Sequence, residues 1–370
     1  MGVDIARLGP ARPTATRTRA RSRTKPQVAS LAAAETPRLR RRGACSRRAF
    51  VAAAALAATG GLLRGRLAAA NPAPTAVQLR RSYARTYGDA CVTQVVAATA
   101  NGKICALFID DYIYMPSDQG YEPVPCSDEA FGDGAREGYV LVSKRQNNEL
   151  YSAAMREQDS AAQSWLDSVE ALERYSAGKA PQELYGVDAV AGCTFVSPQA
   201  YLIAAAQAAG GPYLTVEGSY VARPGVPLRL ARATGAAWAG EAFGDAVVLY
   251  QEDTAVLTSY DELCYLPFDL QGANGMPNSD AAFGACCASG LVLASKAVNN
   301  QAYSRQMAAQ GAATQDWGTS VAAIQAETCG LTAEQVARLG VDTATGSTLE
   351  STALIAQIAA EALAEGPGAE

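Results

Sequence analysis

Beyond residue 70 the chain alternates between two kinds of hydrophobic pattern. Short runs rich in apolar and β-branched residues, 91–97 and 104–114, flank Asn101-Gly102. That dipeptide tolerates positive φ and is a strong hairpin signal. A similar pair of runs returns at 246–251 and 254–259. A helical stretch follows the first pair, with Tyr151, Met155, Trp165 and Val169 as its apolar anchors. Apolar helices over 198–209 and 352–364 close the two halves, and the glycine- and proline-rich segment 209–241 reads as a linker with one strand at 213–217. Strands followed by segregated helices predict an α+β fold of two tandem modules, each a small, mostly antiparallel sheet with helices.

The two halves are related. Residues 127–155, SDEAFGDGAREGYVLVSKRQNNELYSAAM, match 279–307, SDAAFGACCASGLVLASKAVNNQAYSRQM, at a constant offset of 152. Ser127/Ser279, Phe131/Phe283, Gly132/Gly284, Lys144/Lys296, Asn147/Asn299, Asn148/Asn300 and Tyr151/Tyr303 coincide, and Trp165/Trp317 keep the spacing. Upstream, Tyr87-Gly88-Asp89-Ala90 is aligned with Phe243-Gly244-Asp245-Ala246. The expected organisation is a leader at 1–70, modules at 81–208 and 236–366, and a linker at 209–235.

The leader changes the charge picture. Residues 46–52 read SRRAFVA, followed by a weakly apolar, alanine-rich run to about residue 63 and then Ala68-Ala69-Ala70-Asn71-Pro72. That order of charged, apolar and small residues, with Arg47-Arg48 at its head, predicts a cleavable twin-arginine (Tat) signal. Thr59, Gly60, Gly61 and Arg64 interrupt the run, which falls short of a membrane span. The expectation is therefore an exported, extracytoplasmic protein with no stable membrane insertion after cleavage. Of 31 basic and 36 acidic residues, 15 and 2 fall in 1–70, leaving 16 basic against 34 acidic. A surface of that sign repels nucleic acid, so no nucleic-acid partner is expected. Histidine is absent from the whole chain, which excludes Ser-His-Asp and Cys-His catalysis.

One further segment precedes each closing helix. Val187-Asp188-Ala189-Val190-Ala191-Gly192-Cys193-Thr194 and Val341-Asp342-Thr343-Ala344-Thr345-Gly346-Ser347-Thr348 share Asp-x-x-x-Gly-small-Thr. This resembles the flavinylation motif of the FMN-binding domain family, found in a subunit of sodium-pumping quinone reductases and in secreted electron-transfer flavoproteins. The resemblance implies FMN joined by a phosphoester to Thr194 and Thr348, with Asp188, Asp342, Gly192 and Gly346 as surrounding recognition residues. It also implies a flavin transferase as partner, a redox partner protein at the membrane or outside the cell, and an electron carrier with no substrate of its own. Cys193 and Ser347 stand where the family has alanine, and Ala191 where it has serine or threonine. A glycine for a tight turn and a following helix N-terminus suit phosphate placement. The same residues equally describe an ordinary turn with a threonine N-cap.

Lys144 and Lys296 read as solvated surface lysines, and Asp110-Asp111 and Asp261-Glu262 as surface acids without correspondence between the halves. Trp165, Trp317, Tyr151 and Tyr303 read as core. Eight cysteines follow the leader, unshared between the halves and without a CxxC pair, so disulfide connectivity stays open. Two alternatives stand beside the flavin carrier: a non-redox secreted binding or interaction protein that keeps the fold without flavin, and an enzyme using a loosely bound flavin.

Overall fold

The computed structural model describes residues 73–157, 162–309, 315–340, 349 and 351–368, which belong to one compact unit. The expected leader at 1–70 lies outside the described residues. The fold is α+β, with two antiparallel sheets and seven α-helices among the described residues, the last of them C-terminal.

The first half opens with β1 (Thr75–Ala84), β2 (Cys91–Ala100) and β3 (Lys103–Pro116), then β4 (Tyr139–Ser143). Helices α1 (Asn148–Glu157), α2 (Trp165–Ser176) and α3 (Pro198–Gly210) follow. The glycine- and proline-rich segment holds two strands, β5 (Leu214–Tyr220) and β6 (Arg229–Ala237). The second half continues with β7 (Ala242–Gln251), β8 (Thr254–Pro267), β9 (Leu291–Ser295), α4 (Asn300–Ala309), α5 (Trp317–Glu327), the short α6 (Ala333–Val336) and α7 (Thr352–Gly368). Sheet order is β4-β3-β2-β1-β5 in one sheet and β6-β7-β8-β9 in the other. Strand β5 therefore returns to cover the outer edge of β1, pairing Thr75 with Tyr220 through Arg81 with Leu214.

The two sheets pack face to face, with the helices outside them. Val92, Tyr112 and Leu141 share one core with Phe243, Leu263 and Leu293, while Val77, Val96 and Phe108 share another with Val247, Leu249 and Leu257. On the outer faces Val95, Ile109 and Ile113 meet α2 and α3 residues, and Ala246, Val248 and Tyr260 meet α5 and α7 residues. Strands β2, β3, β7 and β8 are thus buried on both faces. Side chains alternate across a strand, so each of these strands serves two cores at once.

An approximate two-fold axis relates the modules. The ladder of β2 with β3 begins at Cys91–Ile113 and that of β7 with β8 at Ala242–Cys264, an offset of 151 on both strands. This corrects the aligned tetrapeptides: Asp89 precedes β2, whereas Asp245 lies inside β7 opposite Asp261 and corresponds to Gln94. On the axis, Ala135 and Cys287 form an antiparallel bridge, with Arg136 N donating to Cys286 O and Ala288 N to Gly134 O at 2.8 Å each. Tyr114 and Tyr265 join hydroxyls at 2.7 Å, and the ring pairs Phe131–Tyr265 and Tyr114–Phe283 both have centroids 4.9 Å apart. Such self-matching contacts are those of an isologous dimer, here fused into one chain.

Candidate functional site

The repeated segment proves to be a device for building each module. Ser143 Oγ donates to Asp110 at 2.5 Å, and Ser295 Oγ to Asp261 at 2.5 Å. Asn147 receives the backbone N–H of Glu122 and donates to its carbonyl; Asn299 does the same at Asn274. Asn148 and Ser152 accept the first N–H groups of α2, at Leu166 and Trp165, as Asn300 and Ser304 do for Gly318 and Trp317 of α5. Those caps occupy donors that a helix start leaves free. Gly132 and Gly284 are fixed by crowding, because a Cβ there meets the carbonyl oxygen of Ser127 at 2.0 Å and of Ser279 at 1.8 Å.

Lys144 and Lys296 are the clearest departure from expectation. Both are buried: Lys144 Nζ meets Asp111 at 2.9 Å and Lys296 Nζ meets Glu262 at 2.6 Å. Each lies under aromatic rings, Lys144 near Tyr151 and Trp165, and Lys296 near Trp238 and Tyr303, with centroids 4.1–5.9 Å away. Burial works to depress both ammonium groups, but the facing carboxylate together with nearby tyrosine and cysteine side chains outweighs it and holds their pKa values above the usual lysine range. Tyr201 on α3 donates to Asp111 at 2.6 Å. The acidic pairs are likewise buried and equivalent. Period-two alternation sends Asp111 and Glu262 to the helix side and Asp110 and Asp261 to the sheet junction. Tyr151, Tyr303, Trp165 and Trp317 are core residues. The thiols of Cys91 and Cys264 sit at corresponding cross-strand pairs, on opposite strands, and burial pushes both up to about 12.

Between the sheets lies a second charged cluster. Arg81 donates to Asp245 at 2.6 Å and Arg232 meets its other oxygen at 2.8 Å; Arg81 and Arg232 are themselves related by the offset of 151. Gln94, the counterpart of Asp245, donates to it at 3.0 Å, and Tyr112 does so at 2.8 Å. Two aspartates at these positions would face each other across the axis; one aspartate and one glutamine form a hydrogen bond instead. Burial works to raise Asp245, yet the two guanidinium groups overcome it and hold it well below the usual carboxylate range.

The junction opens into two related clefts. The larger, of about 940 Å³, runs along Leu228 and the first six residues of β6, Arg229–Thr234, and faces Cys105–Phe108 of β3. The other, of about 830 Å³, contains the corresponding Arg81–Tyr83 of β1 and the beginning of β5. Glu173 in the larger cleft accepts from Ile109 N at 2.8 Å and Arg145 at 2.5 Å, and burial raises it to about 7. Its counterpart Gln325 takes the same backbone position at Tyr260 N, 2.8 Å away.

Of the motif residues, Asp188 and Gly192 are exposed and Thr194 is half-buried, while Asp342, Gly346 and Thr348 lie outside the described residues. Gly192 adopts φ +84°, a left-handed turn that glycine accommodates without strain. Thr194 packs on α2: its hydroxyl lies 3.3 Å from Ser168 Oγ, its N–H donates to the same oxygen at 3.3 Å, and Gln163 reaches Gly192 O. Helix α3 starts four residues later, at Pro198 with Ser197 as N-cap, so Thr194 neither caps it nor stands at its first turn. The loop brings Gly192 and Thr194 together beside α2, where the first donors are already capped. The two lysines are engaged internally with Asp111 and Glu262, and Thr194 lines neither of the two clefts. Among the described residues no group of three or more acidic or thiol side chains is arranged to hold a metal ion, and no helix is long and apolar enough to cross a membrane.

No protein-family model, curated protein or solved structure matches the chain.

Proposed function

We propose that this is an exported interaction protein, a fused pseudo-dimer whose function lies in binding at its surface. The observation that carries the reading is the fate of the chemistry-bearing residues. The lysines, acids, arginines and amides with marked positions in the two halves are buried and bonded to one another. What they leave accessible is the pair of junctional clefts, the kind of concave feature in which binding sites form. The strongly acidic remainder of the chain favours a basic partner and repels nucleic acid.

FMN carried on threonine for extracytoplasmic electron transfer, attached by a flavin transferase, is the second reading. One observation favours it: Thr194 is half-buried beside an exposed glycine turn, and its hydroxyl meets Ser168 Oγ at 3.3 Å. Intact mass of the protein, exported from a host that also supplies a flavin transferase, separates the two. The interaction reading expects an unmodified mass. An FMN adduct lost in Thr194→Val or Thr348→Val would establish the carrier and displace the interaction reading.

A further inference from the structure

The two halves differ at one edge. In the first sheet the outer edge of β1 is covered by β5, seven residues long, which also leans on β8 so that a Cβ at Gly218 would meet Leu257 at 2.7 Å. In the second sheet β6 is the counterpart of β1, and no described strand pairs with its outer edge. The pseudo-two-fold carries the β5 channel, between β1 and β8, onto the space between β6 and β3. That space is the 940 Å³ cleft, which all seven residues Leu228–Thr234 line.

An open strand edge presents unpaired N–H and C=O groups and takes an extended segment by β-addition. The rim supplies the sign of the partner. Of the four arginines that line the cleft, Arg145 is bound to Glu173, Arg174 to Glu170, Arg232 to Asp110 and Asp245, and Arg229 is partnered as well. Glu122, Glu361 and Glu365 are exposed there and hold no ion pair with a described residue. Resting on the interaction reading, we propose that β6 is the acceptor edge for an extended, basic segment of a partner protein, about seven residues long, running antiparallel to β6 as β5 runs to β1. A second copy is disfavoured, because it brings one acidic rim against another.

The test uses the full exported protein and a fluorescein-labelled peptide of the β5 sequence, LTVEGSY, with two lysines added at each end. Expected are saturable anisotropy binding, a weakening of at least tenfold in the double variant Glu361→Lys, Glu365→Lys, loss on placing proline at the peptide's centre, and slowed amide exchange confined to 228–234. Absence of saturable binding, or binding indifferent to the charge reversal, overturns the proposal. Saturable binding with protection on another surface overturns the β6 assignment and leaves the interaction reading standing. The interaction reading itself falls separately, to an FMN adduct.

Discussion

Substituting Asp245 with asparagine tests the junction with almost no change in shape. Asp245 is wholly buried and answers two buried guanidinium groups, at 2.6 and 2.8 Å. Removing its charge leaves Arg81 and Arg232 facing each other, with Asp110 and Asp261 as the remaining nearby acids. Stripping one partner from a buried ion pair costs about 3–5 kcal/mol, a large share of the ~5–15 kcal/mol that keeps a domain folded. Guanidinium denaturation followed by tryptophan fluorescence and far-UV circular dichroism should therefore show an unfolding free energy lower by that amount, seen as a lower midpoint with an unchanged slope. The pseudo-symmetry supplies a sharper arm. Gln94→Asp combined with Asp245→Gln moves the carboxylate to the related position and should recover about half or more of the loss. A cost below ~1 kcal/mol for Asp245→Asn, or no recovery in the exchanged variant, would refute the assignment of Asp245 as the shared counter-ion. The pH sign follows from its depressed pKa. Asp245 contributes its stabilisation above the unfolded carboxylate value of ~3.9 and loses it as pH falls below that. Asp110 and Asp261, raised by burial, act in the opposite sense.

Three further outcomes follow from the structure. Glu173, raised to about 7, adds stability below the unfolded glutamate value of ~4.3 and loses it as pH climbs towards 7. Glu173→Gln with Arg145→Ala reproduces the Gln325 and Ala297 of the other half and should flatten denaturation midpoints measured between pH 4.5 and 7; an unchanged slope would contradict the shift. Lys144→Met leaves Asp111 buried without its cation and should cost about 3–5 kcal/mol in thermal or chemical unfolding. Adding Asp111→Asn should restore part of it, and strict additivity would show the pair to be uncoupled. Gly284→Ala drives a methyl group into the Ser279 carbonyl and should destabilise by about 1–3 kcal/mol by calorimetry, whereas Gly290→Ala, where nothing lies within 4 Å, lacks this clash and pays only for its φ of +82°.

The hairpins and closing helices were legible because their signals are local: Asn101-Gly102 between apolar runs, and alanine-rich helices after a turn. The duplication was legible because each repeated residue has one repeated contact, as with Gly132 and Ser127 or Asn148 and Leu166. The acidic pairs misled because a strand buried on both faces loses its alternation, so Asp110-Asp111 within the run 104–114 reads as a pair of surface acids. Their position inside the apolar run KICALFIDDYIYMP, matched by Asp261-Glu262 at an offset of 151, was the available signal. Strand β6, RLARATGAA, was hidden by residues of low β propensity and gains its place through pairing with β7. The clefts had no sequence signature at all, since they arise where two modules meet.

Native-state amide exchange shows most directly whether fusion of two like modules leaves one strand edge open. Strand β1 lies between β2 and β5, whereas among the described residues β6 pairs with β7 alone. Slow exchange is expected along β1 and, within 228–234, an alternation of slow amides facing β7 with outward amides at least about 100-fold faster, by the logic of local exposure. Outward amides of β6 as slow as those of β1 would mean that the edge is already covered and that β6 is no acceptor.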